Sequence, residues 1–241
     1  MTLRFQRILQ VLIVFLVAHV AFAQDGWKSK PYQQWTKQDV VKLGTDSPWA
    51  QVRHADVSVG GFGGEPGAYM RAVTIQLRSA LPIRQALVRV KQLEAKYDAM
   101  NERQRAEFDA KTREMLDCPV CADKYVVALG PPVTTGPGVN ALEALRSATL
   151  GLLQEIVYIS NERGERRKLV HFNGPRFVGD EALFFFPRLD EQGRPLLTPE
   201  NKTLFFFFDS QGLRTGYGIA IIPKRFEFNV SRLIVNGKVE F

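Results

Sequence analysis

The sequence predicts an α+β protein, with a helix-rich N-terminal half packed on a mainly antiparallel, β-rich C-terminal half. Three observations lead there. Apolar residues recur at helical spacing between Pro82 and Tyr97. From Gln154 onward, short apolar runs are punctuated by turn signals such as Asn161-Glu162-Arg163-Gly164 and Asn236-Gly237. Between the two regimes lies Gly130 to Gly138, the proline–glycine stretch GPPVTTGPG. The expected division is 24–130, a linker at 131–138, and 139–241, with one continuous domain over 24–241 as the alternative.

The first residues set the compartment. Met1 to Arg7 carries Arg4 and Arg7 and no acid, and Ile8 to Val20 is apolar apart from Gln10 and His19. Ala21-Phe22-Ala23 then supplies a small–x–small exit. This is the plan of a secretory signal peptide, residues 1–23, cut to leave Gln24 as the new N-terminus. The apolar run is shorter than the ~20 residues a spanning helix needs. The residue after the cut is Gln rather than Cys, so a lipoprotein anchor is not indicated. The expected location is therefore the periplasm or the outside of the cell. Loss of Arg4 and Arg7 lowers the formal net charge from +7 to +5. No later stretch approaches spanning length. The basic residues are scattered among acids rather than gathered in a stripe, so no nucleic-acid footprint is expected.

Asp25 to Ala50 holds Trp27, Trp35 and Trp49, all three tryptophans of the chain, together with Tyr32. Thr36-Lys37-Gln38-Asp39 predicts a capped helix start, and Gly44 its stop. Ser47-Pro48 predicts a second short helix, with Ser47 as cap and Pro48 at its first position. The tryptophans have two readings: they plug the open end of the core, or they form an aromatic binding surface for a sugar or polymer.

Lys30-Pro31-Tyr32 with Trp35, followed by Asp46-Ser47-Pro48-Trp49-Ala50, resembles the opening of a group of secreted bacterial proteins of unknown function. In that group a similar "KP…W…SPWA" segment follows the signal peptide. The stretches Ser79 to Ala86 and Cys118 to Val127 are similar too. The resemblance implies a compartment but no activity, and carries over no catalytic residue.

Val52 to Val59 and Tyr69 to Arg78 read as strands joined by the glycine-rich loop 60–67. That loop lacks the third glycine and the following helix of a phosphate-binding turn, and reads as a hairpin tip. Ile83, Ala86, Leu87, Val90, Leu93 and Tyr97 predict an amphipathic helix from about Pro82. Asn101 with Gln104 caps a second helix to Leu116. On it, Glu107–Lys111 and Asp109–Arg113 are placed to pair, leaving a solvated face.

Cys118-Pro119-Val120-Cys121 falls after a helix and before the strand Tyr125 to Leu129, the reverse of a thioredoxin-like setting. Haem attachment would need His where Ala122 stands. Zinc would need two further ligands, and only His54 and His171 follow the leader. A structural disulfide between Cys118 and Cys121 is the favoured reading, with free thiols and redox or metal work as the alternatives.

In the second half, Asn140 with Glu143 predicts a helix through Leu150. Strands follow at Ile156 to Ser160, Arg167 to Phe172, Ala182 to Phe186, Thr203 to Phe208, Leu213 to Ile222 and Phe226 to Val230. A final hairpin turns at Asn236-Gly237 between Leu233–Val235 and Val239–Phe241. The Phe184–Phe186 and Phe205–Phe208 runs put phenyl rings on both faces of their strands. Either both faces are covered, or one is a ligand or partner surface.

No nucleophile elbow, HExxH, P-loop or calcium loop occurs. Asp180 with Glu181 and Asp190 with Glu191 read as turn residues. No catalytic, metal or cofactor residue is assigned. The expected function is a non-enzymatic binding module for an envelope or extracellular protein or polymer. Its rival is a hydrolase using paired carboxylates beside Trp27, Trp35 or Trp49.

Overall fold

The computed structural model describes residues 26–58, 69–130, 142–177, 179–209, 213, 219–221 and 223–241. The expected signal peptide 1–23, the expected hairpin tip 60–67, the expected linker 131–138, Asn140 and much of the strand expected over 213–222 lie outside the described residues. The architecture is α+β, with helices mostly within 32–156 and antiparallel sheets dominating the C-terminal part.

Helix α1, Lys37–Thr45, begins where expected. Thr36 Oγ1 accepts the Asp39 amide at 3.2 Å, and Asp39 Oδ2 accepts the Thr36 amide at 2.7 Å, a reciprocal capping box. Gly44 does not stop this helix, which runs on to Thr45. Its role is close approach: Gln76 Nε2 donates to the Gly44 carbonyl at 2.7 Å, and a Cβ on Gly44 would stand 3.3 Å from that nitrogen.

The helix expected at Ser47-Pro48 is instead a turn between β1, Asp46–Ser47, and β2, Ala50–Ser58, with Ser47 opposite Ala50. Ser47 Oγ donates to the Leu43 carbonyl at 2.8 Å and accepts the Trp49 amide at 3.2 Å. The hydroxyl thus satisfies a turn, as serine does where the next residue is drawn into a core. Trp49 is that residue, 1% exposed.

The larger sheet runs β1–β2–β3–β4–β8–β7, all antiparallel, and draws strands from both halves of the chain. Its members are β3, Tyr69–Leu77; β4, Lys124–Gly130; β7, His171–Asn173; and β8, Ala182–Pro187. A further strand, β10, Ile219–Ile221, pairs with the far end of β2.

Helix α2, Leu81–Glu94, has proline in its first turn as predicted, but it ends before Tyr97. Lys96 takes a left-handed conformation (φ 54°), and Tyr97–Ala99 forms a 3-10 turn. Tyr97 is thereby turned to helix α3, Glu102–Asp117, where its ring meets Phe108 edge-on at 5.3 Å. The Asn101–Gln104 capping box of α3 is present, and Thr112 is the one buried residue on this helix. Glu107 pairs with Arg103 at 3.1 Å rather than with Lys111. Asp109 accepts the Tyr97 hydroxyl at 2.8 Å rather than meeting Arg113.

The helix expected over 140–150 is replaced by a 3-10 turn, Glu143–Arg146, and helix α4, Leu150–Ile156. Thr149 supplies the cap, accepting the Leu152 amide at 3.3 Å, and Leu153 anchors the helix in the core. The smaller sheet follows, in the order β11–β9–β5–β6. Its strands are β5, Val157–Asn161; β6, Arg166–Lys168; β9, Thr203–Phe208; and β11, Arg225–Asn229.

The single strand expected over Arg167 to Phe172 is divided between the two sheets. β6 pairs with β5, Leu169 is buried at the crossing, and β7 pairs with β8. A strand that changes sheet closes a corner between layers. The sheets meet through Phe184, Phe186, Phe206 and Phe208, with Phe184 and Phe206 5.5 Å apart. These rings belong to one apolar core that runs from Trp27 to Phe241. The final hairpin, β12 (Ile234–Val235) with β13 (Lys238–Val239), turns at Asn236 (φ 50°) and Gly237 (φ 77°). Positive φ at both positions is what a primed two-residue turn demands.

Candidate functional site

Trp27, Trp35 and Trp49 are all buried, and Trp27 packs edge-on against the other two at 6.3 and 5.5 Å. Trp35 Nε1 donates to the Trp27 carbonyl at 3.0 Å. Their rings serve the core. The Cys118 and Cys121 sulfurs stand at disulfide distance, 1.98 Å, with Cys118 in a left-handed cap at the end of α3. Asp180 accepts the Arg176 and Glu181 amides, and Asp190 accepts those of Gln192 and Arg194. These backbone donors hold both carboxyls below the usual range. His171 Nε2 lies 2.9 Å from Asn173 Oδ1, and its ring packs on Phe185. Among the described residues no three His, Cys, Asp or Glu side chains converge as metal ligands would.

The structure brings a different aromatic set to the surface. Burial alternates strictly along β9: Leu204, Phe206 and Phe208 point inward, while Thr203, Phe205 and Phe207 are half-buried on the other face. On β11 the alternation is sharper, with Phe226 and Phe228 inside and Arg225, Glu227 and Asn229 outside. Register then sets the neighbours: Phe207 lies between Arg225 on one side and Tyr158 on the other. Tyr158 is stacked on Phe207 with ring centres 4.6 Å apart and planes 19° apart. Phe205 continues the row, 6.2 Å from Phe207.

Arginines close the row at both ends. The Arg166 guanidinium lies 4.5 Å from the Tyr158 ring centre, and that of Arg225 lies 4.8 Å from Phe205. Arg225 also pairs with Glu227 on its own strand. Lys168, opposite Tyr158 on β6, adds another exposed cation. The result is a row of three half-buried rings with Arg166 and Lys168 at one margin and the Arg225–Glu227 pair at the other. Such a face stacks on planar or C–H-rich surfaces and attracts anions.

Sequence reasoning left open whether one face of the Phe205–Phe208 run is a partner surface, and did not single out Tyr158, Arg166 or Arg225. An unbroken phenylalanine run hides its own period of two. The alternating Arg225-Phe226-Glu227-Phe228-Asn229 was the legible signal, but only pairing of β11 with β9 transfers it to the phenylalanines. No family model, curated protein or solved structure matches the chain.

Proposed function

We infer that the protein is a non-enzymatic binding module which works outside the cytoplasm after removal of residues 1–23. Its contact surface is the outer face of the smaller sheet, and its partner is an anionic envelope or extracellular polymer. The observation that carries the reading is the Tyr158–Phe207–Phe205 row with Arg166 and Arg225 at its ends. Rings half-open to solvent, each end covered by a cation, offer both stacking area and charge to a partner. A general acid for glycoside hydrolysis needs its proton affinity raised. The shifted carboxyls here, among them Asp180 and Asp190, move the other way.

The test is co-sedimentation of the secreted protein with insoluble acidic and neutral polysaccharides, alongside Phe207→Ser and Arg225→Gln. The reading expects retention on the acidic polymer that weakens with salt, a large loss in both variants, and unchanged melting. Retention that ignores both substitutions would reject this face as the contact surface. Intact mass of the secreted protein tests the compartment, since a chain beginning at Gln24 is expected.

A further inference from the structure

A second concavity lies on another part of the molecule, where helix α3 ends, the Cys118–Cys121 turn follows and the last hairpin passes. It encloses about 380 Å³ and is lined by Arg84, Arg188 and Lys238, with Asp117 and Glu240 also at its wall. That volume falls within the range of small-molecule sites.

Both arginines are held by backbone carbonyls. Arg84 Nε donates to the Ser79 carbonyl at 3.2 Å, and its Nη1 donates to that of Leu116. Arg188 Nε donates to the Cys121 carbonyl at 2.8 Å, while its guanidinium lies over Tyr125 at 4.5 Å from the ring centre. Neither is in ion-pair contact with a carboxylate among the described residues. Glu240 Oε2 accepts the Leu81 amide at 3.4 Å and lies near enough to favour the charge on both arginines. Both arginines border the same cavity. Burial lowers the proton affinity of both; Glu240 and Asp117 favour the charge on Arg84 while Arg188 opposes it, and Tyr125, Glu240 and Asp123 favour the charge on Arg188.

We propose that this cavity is a binding site for a tetrahedral oxyanion, a phosphate or sulfate group, held between Arg84 and Arg188 with Lys238 at the rim. Arginine forks match the oxygen spacing of such groups and form charge-assisted bonds. A bound anion adds to Glu240 and Asp117 in offsetting the repulsion of Arg84 by Arg188. The carbonyl ties preset the geometry, so little side-chain order is lost on binding. The site is separate from the aromatic face of the smaller sheet, and either can fail alone.

The experiment is titration with sodium phosphate and sodium sulfate at fixed ionic strength, with sodium chloride as the reference. Binding is followed by the Arg84 and Arg188 Nε–Hε resonances and by calorimetry. Saturable shifts at both arginines are expected with phosphate or sulfate and not with chloride. Arg188→Met should weaken binding about tenfold or more, the loss of a charge-assisted bond. Lys238→Gln, which breaks none of the carbonyl ties, should weaken it less and leave melting unchanged. A sugar phosphate that binds tighter than inorganic phosphate identifies a group carried on a larger molecule, and equal binding identifies the free ion. An identical response to chloride, or full affinity in Lys238→Gln together with unmoved arginine resonances, overturns the proposal.

Discussion

The Trp49 indole Nε1–H donates to the Glu240 carbonyl at 2.7 Å, joining the first hairpin to the residue after the last strand, across 191 residues. Around that bond the core closes, with Phe241 stacked on Tyr125 at 4.7 Å. Trp49→Phe keeps a ring but leaves the carbonyl without its donor. Urea unfolding should show a loss of ~1–3 kcal/mol. A change within error would mean that the bond does not hold the chain end in place.

Adjacent phenylalanines on β9 should respond in opposite ways. Phe206 is fully buried between the sheets, and Phe206→Ala should cost ~3–5 kcal/mol. Phe205 is half-buried on the outer face, and Phe205→Ser should stay within about 1 kcal/mol while impairing polymer retention. Equal costs at both positions would place both rings in the core.

Asp39 ties the start of α1 to acid stability. Burial works to raise its pKa, but Lys30, 2.6 Å away, and the Thr36 hydroxyl and amide outweigh that and lower it. A carboxyl depressed in the folded state stabilises above its unfolded pKa, and the contribution fades as pH falls through the folded value. Stability measured from pH 6 to pH 2 should therefore decline more steeply in the wild type than in Asp39→Asn. Parallel curves would remove Asp39 from the acid limb.

Reduction of the Cys118–Cys121 pair should cost little. A loop this short restrains the unfolded chain by at most ~2 kcal/mol. Chemical unfolding with and without reductant measures it. The larger effect is expected at the neighbouring cavity, because Cys121 also supplies the carbonyl that orients Arg188. Phosphate binding should fall on reduction even where the fold persists. Unchanged affinity would show that the turn does not position Arg188.

Among the described residues, what was legible in the sequence was local. The capping boxes at Thr36–Asp39 and Asn101–Gln104, the first-turn proline of α2 and the Asn236-Gly237 turn all stand in the structure. Each is decided within four residues by which side chain can satisfy a nearby amide or accept a positive φ. Local signals also misled where a distant partner outbid them. Ser47-Pro48 looked like a helix start until Trp49 was drawn into the core. Gly44 looked like a stop, but its missing side chain is used by Gln76.

Two decisions belonged to the tertiary structure alone. One is the division of the strand after Arg166 between the sheets, since nothing in Arg167 to Phe172 says which neighbour each residue will pair with. The other is which aromatic rings meet solvent. The tryptophans went inside, and Tyr158, Phe205 and Phe207 came out. In a strand every second side chain shares a face, so residue identity supplies the rings. Only the register between strands distant in sequence says which face is covered.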